Sequence, residues 1–193
     1  KKTLIIISPF TCRSGYSQHS RLIIKSILSI PKITDTFDIK LISTRWGNTP
    51  MNALKNDDPL FKLLLPNNSL NFQPDVSIQI SIPSEFQKIG KISIGITAGT
   101  EVSIAPLNFL EGCRNVDFNL VPSQFTKDIL LGTKYDKKNE QGQIIESVQV
   151  TYPIEVLFEG VETHIFDKNT IIRTELSTEL NSIKENWNFL LKE

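Results

Sequence analysis

The residues able to do chemistry gather in short polar loops, each directly after an apolar run. The first is Arg13-Ser14-Gly15-Tyr16 with Gln18 and His19 just beyond. A glycine at such a strand–helix turn lets backbone amides approach a ligand, and the following helix offers positive partial charge to a phosphate. Equally, one glycine can simply make a turn, and His19 can be a surface residue. The segment matches neither the dinucleotide fingerprint nor the P-loop, because it has a single Gly. The second cluster is Thr97-Ala98-Gly99-Thr100-Glu101. Its two hydroxyls and one carboxylate could floor a polar ligand site, with Glu101 accepting sugar hydroxyls or acting as a base. Alternatively Thr100 and Glu101 cap the next helix. The third is Glu159-Gly160-Val161-Glu162-Thr163-His164-Ile165-Phe166, where Gly160 permits a sharp turn, Phe166 reads as an apolar plug and His164 can face solvent. His19 and His164 share no ligand spacing, so no metal site is expected. No G-x-S-x-G nucleophile elbow occurs.

A fourth stretch, Val116 to Leu131, orders the others. Phe118, Leu120 and Val121 read as a strand buried on both faces. Pro122 ends it, and Ser123 is placed to cap a helix beginning at Gln124. Phe125, Ile129 and Leu130 recur at helical spacing and are expected to pack back onto the sheet. A strand leading into a capped helix is the unit of an open α/β sheet, whose ligands lie beyond the strands' carboxyl ends. Pro122 to Lys127 should therefore face the cleft.

Similar units recur along the chain. Strands are expected at Thr3 to Phe10, Phe37 to Thr44, Asp75 to Ile82 and Lys91 to Thr97, with a further β-rich run over Val148 to Phe158 split by Pro153. Helices are expected at Tyr16 to Ile30, Leu60 to Leu65, Pro106 to Cys113 and Glu175 to Leu191. Lys134 to Gln143 is polar and charged and reads as an exposed loop. The pattern predicts an α/β fold: a Rossmann-like open, mostly parallel sheet with helices on both faces.

At 193 residues the chain suits one domain with a real core. Lys plus Arg equals Asp plus Glu, 21 each, so no global field draws nucleic acid or an anionic membrane. The two cysteines, Cys12 and Cys113, lie far apart and fit reduced thiols better than a disulfide framework. No apolar run reaches the length of a membrane span. The Lys1-Lys2 start before Leu4 to Ile7 resembles a signal peptide, but Pro9 ends the apolar run early and a buried strand explains it better. A soluble, cytoplasmic protein is expected. A start without Met and an apolar Phe189-Leu190-Leu191 near the end read as a fragment of a longer protein.

Four segments, in order, resemble the N-terminal half of the GT-B glycosyltransferases, particularly the retaining group-1 or family-4-like enzymes. They are Arg13 to Arg21, Ile94 to Glu101, Asp117 to Lys127 and Glu159 to Phe166. The D-x-x-x-V-P-S-x-F-T-K and E-G-V-E-T-x-x-F runs are the more specific. The resemblance covers nearly the whole chain and implies two Rossmann-like domains facing each other across a cleft. Residues 1–170 would form the acceptor-side domain. Residues 171–193 would form a helical crossover toward a C-terminal nucleotide-sugar domain that this chain lacks.

The resemblance further places Ser14, Gly15 and Tyr16 near the donor diphosphate. It sets Arg13, His19, Thr97, Gly99, Thr100, Glu101, Ser123, Phe125, Thr126 and Lys127 along the substrate cleft. Glu159, Gly160 and Glu162 would make the turn before the domain crossing. Where many such enzymes carry a His after the fourth strand, this chain has Thr97-Ala98-Gly99, so the resemblance assigns no catalytic residue. The implied reaction moves a sugar from a nucleotide-sugar donor to a hydroxyl acceptor (a glycan, lipid or small molecule). It uses no metal and no cofactor, the nucleotide sugar being a substrate, and no nucleic acid takes part. The alternative is a non-catalytic α/β module that binds a carbohydrate or nucleotide.

Overall fold

The computed structural model describes residues 1–163, 165 and 166. The chain forms one compact unit, Lys1–Gly160, and a second, Val161–Glu193. The helix expected at Glu175 to Leu191 and the residue His164 lie outside the described residues.

In the first unit the apolar periodicity becomes β1 (Lys2–Ser8), α1 (Gly15–Leu28), α2 (Pro31–Thr36), β2 (Phe37–Ser43), β3 (Val76–Ile80), β4 (Ile92–Ile96), α3 (Leu107–Arg114), β5 (Phe118–Val121) and α4 (Gln124–Gly132). Beyond them come β6 (Tyr135–Lys138), β7 (Ile144–Val148) and β8 (Ile154–Val156). The main sheet has six strands in the order β2-β1-β3-β4-β5-β8, and every neighbouring pair is parallel. This is the Rossmann-like open α/β sheet that the alternating pattern predicts. A single parallel bridge from Leu41 to Leu64 extends the edge beyond β2. The strand order reverses between β1 and β3, where an open α/β sheet forms its crevice.

Register decides which side chains share a face. Leu4, Ile6, Ile39, Leu41, Ile78, Ile80 and Ile96 line one face, buried together with Ile24 of α1. The opposite face carries Ser77, Gln79, Ser93 and Asn119 at its centre and is largely polar. Its hydrogen bonds are internal: Ser77 donates to Ser93 at 3.1 Å, and Gln79 donates to the Gln87 carbonyl while accepting from the Gln87 amide. Toward β8 this face becomes apolar again, with Val121, Ile154, Leu110 and Leu130 buried beneath α3 and α4. Helices therefore cover both faces.

Gly112 is needed where α3 meets the turn at Pro83–Glu85. A Cβ built there would lie 1.7 Å from the Pro83 carbonyl oxygen, so only glycine lets the backbones approach this closely.

Four expectations are corrected. Lys134 to Gln143 is not a loop throughout: it supplies β6 and the turn of an antiparallel hairpin with β7. Tyr135 and Val148 pack one end of the hairpin into the core, and beyond them Lys137 pairs with Glu111 and Glu146, and Arg114 with Glu146. Val148 consequently ends the hairpin, and only Ile154–Val156 joins the main sheet. Strand β5 is buried on one face only, since Phe118 and Leu120 stay half-exposed. Phe166 is not a plug, being 71 % exposed.

Candidate functional site

Because the main sheet is wholly parallel, the loops leaving β1, β4, β5 and β8 emerge at one edge. Two helices start there in the same way. Ser14 caps α1, its Oγ accepting from the Ser17 amide at 3.2 Å, and Ser123 caps α4, its Oγ accepting from the Thr126 amide at 3.2 Å. Each hydroxyl satisfies one free amide of the first turn, while the remaining amides point outward with the positive end of the helix dipole.

Tyr16 joins the first of these loops to the one after β4. The Ala98 amide donates to Tyr16 Oη at 3.1 Å, and Tyr16 Oη lies 3.0 Å from Thr97 Oγ1. Burial pushes the Tyr16 phenol above its usual range, against the opposing effect of these two bonds, so it stays protonated at neutral pH. Its ring stacks on Trp46, with centroids 4.2 Å apart. Gly99 continues the rim toward α4. Its φ of +103° is in the left-handed region, and an added Cβ would lie 2.9 Å from Thr126 Oγ1 and 3.0 Å from Pro122 Cγ. Glycine is required there both by conformation and by space. Tyr16, Thr97, Gly99, Thr126 and Ser123 thus form one continuous rim.

His19 stands on the next turn of α1. Its side chain is only 9 % exposed, with Nδ1 3.7 Å from Glu159 Oε1. Burial lowers its pKa, against the attraction of Glu159, so the imidazole is neutral at pH 7. It is not the surface residue that its position in the sequence also allowed.

Other expected site residues have partners or exposures of their own. Arg13 is held by Asn52, donating to its side-chain oxygen at 2.8 Å and to its carbonyl at 3.2 Å. Lys127 pairs with Glu155 at 3.0 Å. Phe125 is 53 % exposed, because α4 turns Thr126 and Leu130 inward instead. Glu101 is exposed, and neither it nor Thr100 caps a helix, since α3 begins at Leu107 behind Pro106. At Gly15 and Gly160 an added Cβ would meet nothing within 4 Å and neither φ is left-handed, so the turns there do not themselves demand glycine. Glu162, in the second unit, accepts at its carbonyl from the amides of Ile165 and Phe166. Trp46 was not singled out from the sequence. An aromatic residue beyond the end of β2, the strand adjacent to β1, is the signal that could have found it.

Among the described residues no group of three or more His, Cys, Asp or Glu is placed to hold a metal ion, and no helix is long and apolar enough to cross a membrane. Fold and rim together define a Rossmann-like α/β domain with a polar, aromatic-backed carboxyl edge. No family model, no curated protein and no solved structure matches the chain.

Proposed function

We propose that this chain is the acceptor-side, N-terminal part of a GT-B glycosyltransferase. It would move a sugar from a nucleotide-sugar donor to a hydroxyl acceptor, metal-independently and with retention. The observation that carries the reading is the rim of Tyr16, Thr97, Gly99, Thr126 and Ser123 at the carboxyl edge of a parallel sheet. Two capped helix N-termini there favour an anionic group, and the hydroxyls and backbone amides suit a sugar. The stacked Tyr16–Trp46 pair adds an aromatic surface beside them. In the full enzyme a second domain would bring the nucleotide sugar against this edge, and oriented amides would stabilise the leaving diphosphate.

The test is a transfer assay with a panel of nucleotide sugars and hydroxyl acceptors. The full-length gene product should turn over, the present chain alone should not, and Thr97→Val in the full-length protein should cut turnover at least tenfold. Turnover by the chain alone would refute the two-domain reading.

A non-catalytic binding module is favoured by one observation. The groups actually linked along the rim are hydroxyls, amides and an aromatic pair, while Glu101, the carboxylate expected among them, is exposed. Ligand binding with no turnover by the full-length product would support that second reading.

A further inference from the structure

Between β1 and β3, where the strand order reverses, the polar face of the main sheet holds a pocket of about 170 Å³ within the first unit. Ile7 and Gln79, register partners in those two strands, form its floor, and Ile89 adds a second apolar side chain. Such a reversal is where an open α/β sheet takes its ligands. The segment after β3 supplies the wall. Phe86, 1 % exposed, anchors that segment by lying over Gly95, and the Gln79 side chain ties it down through the backbone amide and carbonyl of Gln87. Glu85 and Gln87, on either side of the anchor, are thereby held at the pocket. One carboxylate oxygen of Glu85 accepts from Ser81 Oγ. Its other oxygen, the Gln87 carboxamide and the hydroxyl of Thr44 beyond β2 have no hydrogen-bond partner among the described residues. Besides burial, the Glu85 carboxylate helps push the Tyr16 phenol upward, so its charge reaches the rim.

We infer that this pocket binds one neutral sugar ring, its C–H face on Ile7 and Ile89 and its hydroxyls bonded to Glu85, Gln87 and Thr44. Charge decides against an anion. Glu85 is the one charged side chain lining the pocket, and no basic residue lines it, so a phosphate there would face an uncompensated carboxylate. The mixture of groups decides against a bare ammonium. A carboxamide and a hydroxyl each donate and accept, which suits hydroxyl groups, and a cation gains nothing from two isoleucines. A few convergent polar groups beside an apolar surface are the general form of a small-molecule site. Size sets the rest: the pocket holds about six waters at roughly 30 Å³ each, room for a single ring and not for a nucleotide. As the seat of the acceptor the pocket rests on the glycosyl-transfer reading and narrows the acceptor to a carbohydrate. As a sugar site it stands without transfer.

The experiment is an NMR titration of the isotope-labelled chain with methyl glucoside, methyl galactoside and methyl mannoside, beside glucose 1-phosphate and glucosamine. At least one neutral glycoside should bind with a Kd of about a millimolar and shift the amides of Thr44, Ser81 and Gln87. Glu85→Gln, which keeps a partner for Ser81, should weaken that glycoside about tenfold, and Gln87→Ala severalfold. Both side chains are exposed, so neither variant disturbs the core, and circular dichroism checks that each is folded. Glu140→Gln, in the β6–β7 turn, should leave binding unchanged. Tighter binding of glucose 1-phosphate or glucosamine than of every neutral glycoside overturns the proposal. So does affinity that survives both substitutions, a set of shifts confined to the starts of α1 and α4, or no binding by any glycoside. Glycoside binding by the chain without transfer by the full-length product would leave this site standing and remove the glycosyltransferase reading. Transfer to a non-sugar acceptor without glycoside binding would do the reverse.

Discussion

Tyr16 is the residue on which the rim turns. Its hydroxyl accepts from the Ala98 amide and meets Thr97, across a separation of more than eighty positions. Tyr16→Phe keeps the stacking on Trp46 but leaves the half-buried Ala98 amide without an acceptor. The expected cost is about 1–2 kcal/mol of stability, read as a lower urea midpoint with unchanged slope. The sequence showed Ser123 of this rim, because it sits where a helix must be capped. It did not show Tyr16 touching Thr97, or Trp46 behind it, because those contacts depend on which strands become neighbours. The partner of Arg13 was hidden for the same reason. A polar residue beside a turn carries no sign of its partner, and Asn52, from a loop far along the chain, holds the Arg13 guanidinium.

Elements were easier to read than contacts between them. Period-two isoleucines specified β3 and β4, and Pro122-Ser123 marked the boundary between β5 and α4. Two elements were hidden. Pro31, which follows the end of the first helix, also opens α2, occupying its first turn, where its missing amide costs nothing. The β6–β7 hairpin was hidden because β6 is mostly charged, and Lys137 and Glu146 are held by ion pairs with α3. The packing of α3 yields a prediction at this scale. Gly112→Ala must push α3 away from the turn at Pro83–Glu85, so it should cost about 3 kcal/mol. Thermal unfolding should show the loss, and Gly132→Ala, where an added Cβ meets open space, should not reproduce it.

At the scale of the whole molecule, one carboxylate ties the centre of the sheet together. Asp75 accepts from the Thr3 amide at 2.9 Å and pairs with Lys91 at 2.7 Å, joining the starts of β1, β3 and β4. The Lys91 hydrogen bond, aided by the Thr3 amide, lowers its pKa to about 2. An aspartate in the unfolded chain titrates near 3.9. Above that value the carboxylate is ionised in both states and its full contribution is present. As pH falls from about 4 to about 2 the unfolded chain takes up a proton that the folded one refuses, and the contribution is lost. Urea midpoints measured between pH 5 and pH 2 should therefore decline less steeply for Asp75→Asn than for the native chain.

The same tie bears on how the protein is made. Thr3 and Asp75 are 72 residues apart, and β1 is flanked by β2 on one side and β3 on the other. At roughly 5–20 residues per second of synthesis, the inner side of Leu4-Ile5-Ile6-Ile7 waits several seconds for its second neighbour to emerge. Throughout that interval the stickiest stretch of the nascent polypeptide is a half-finished ribbon, so ribosome-associated chaperones should engage this chain early and let go only once β3 has been translated.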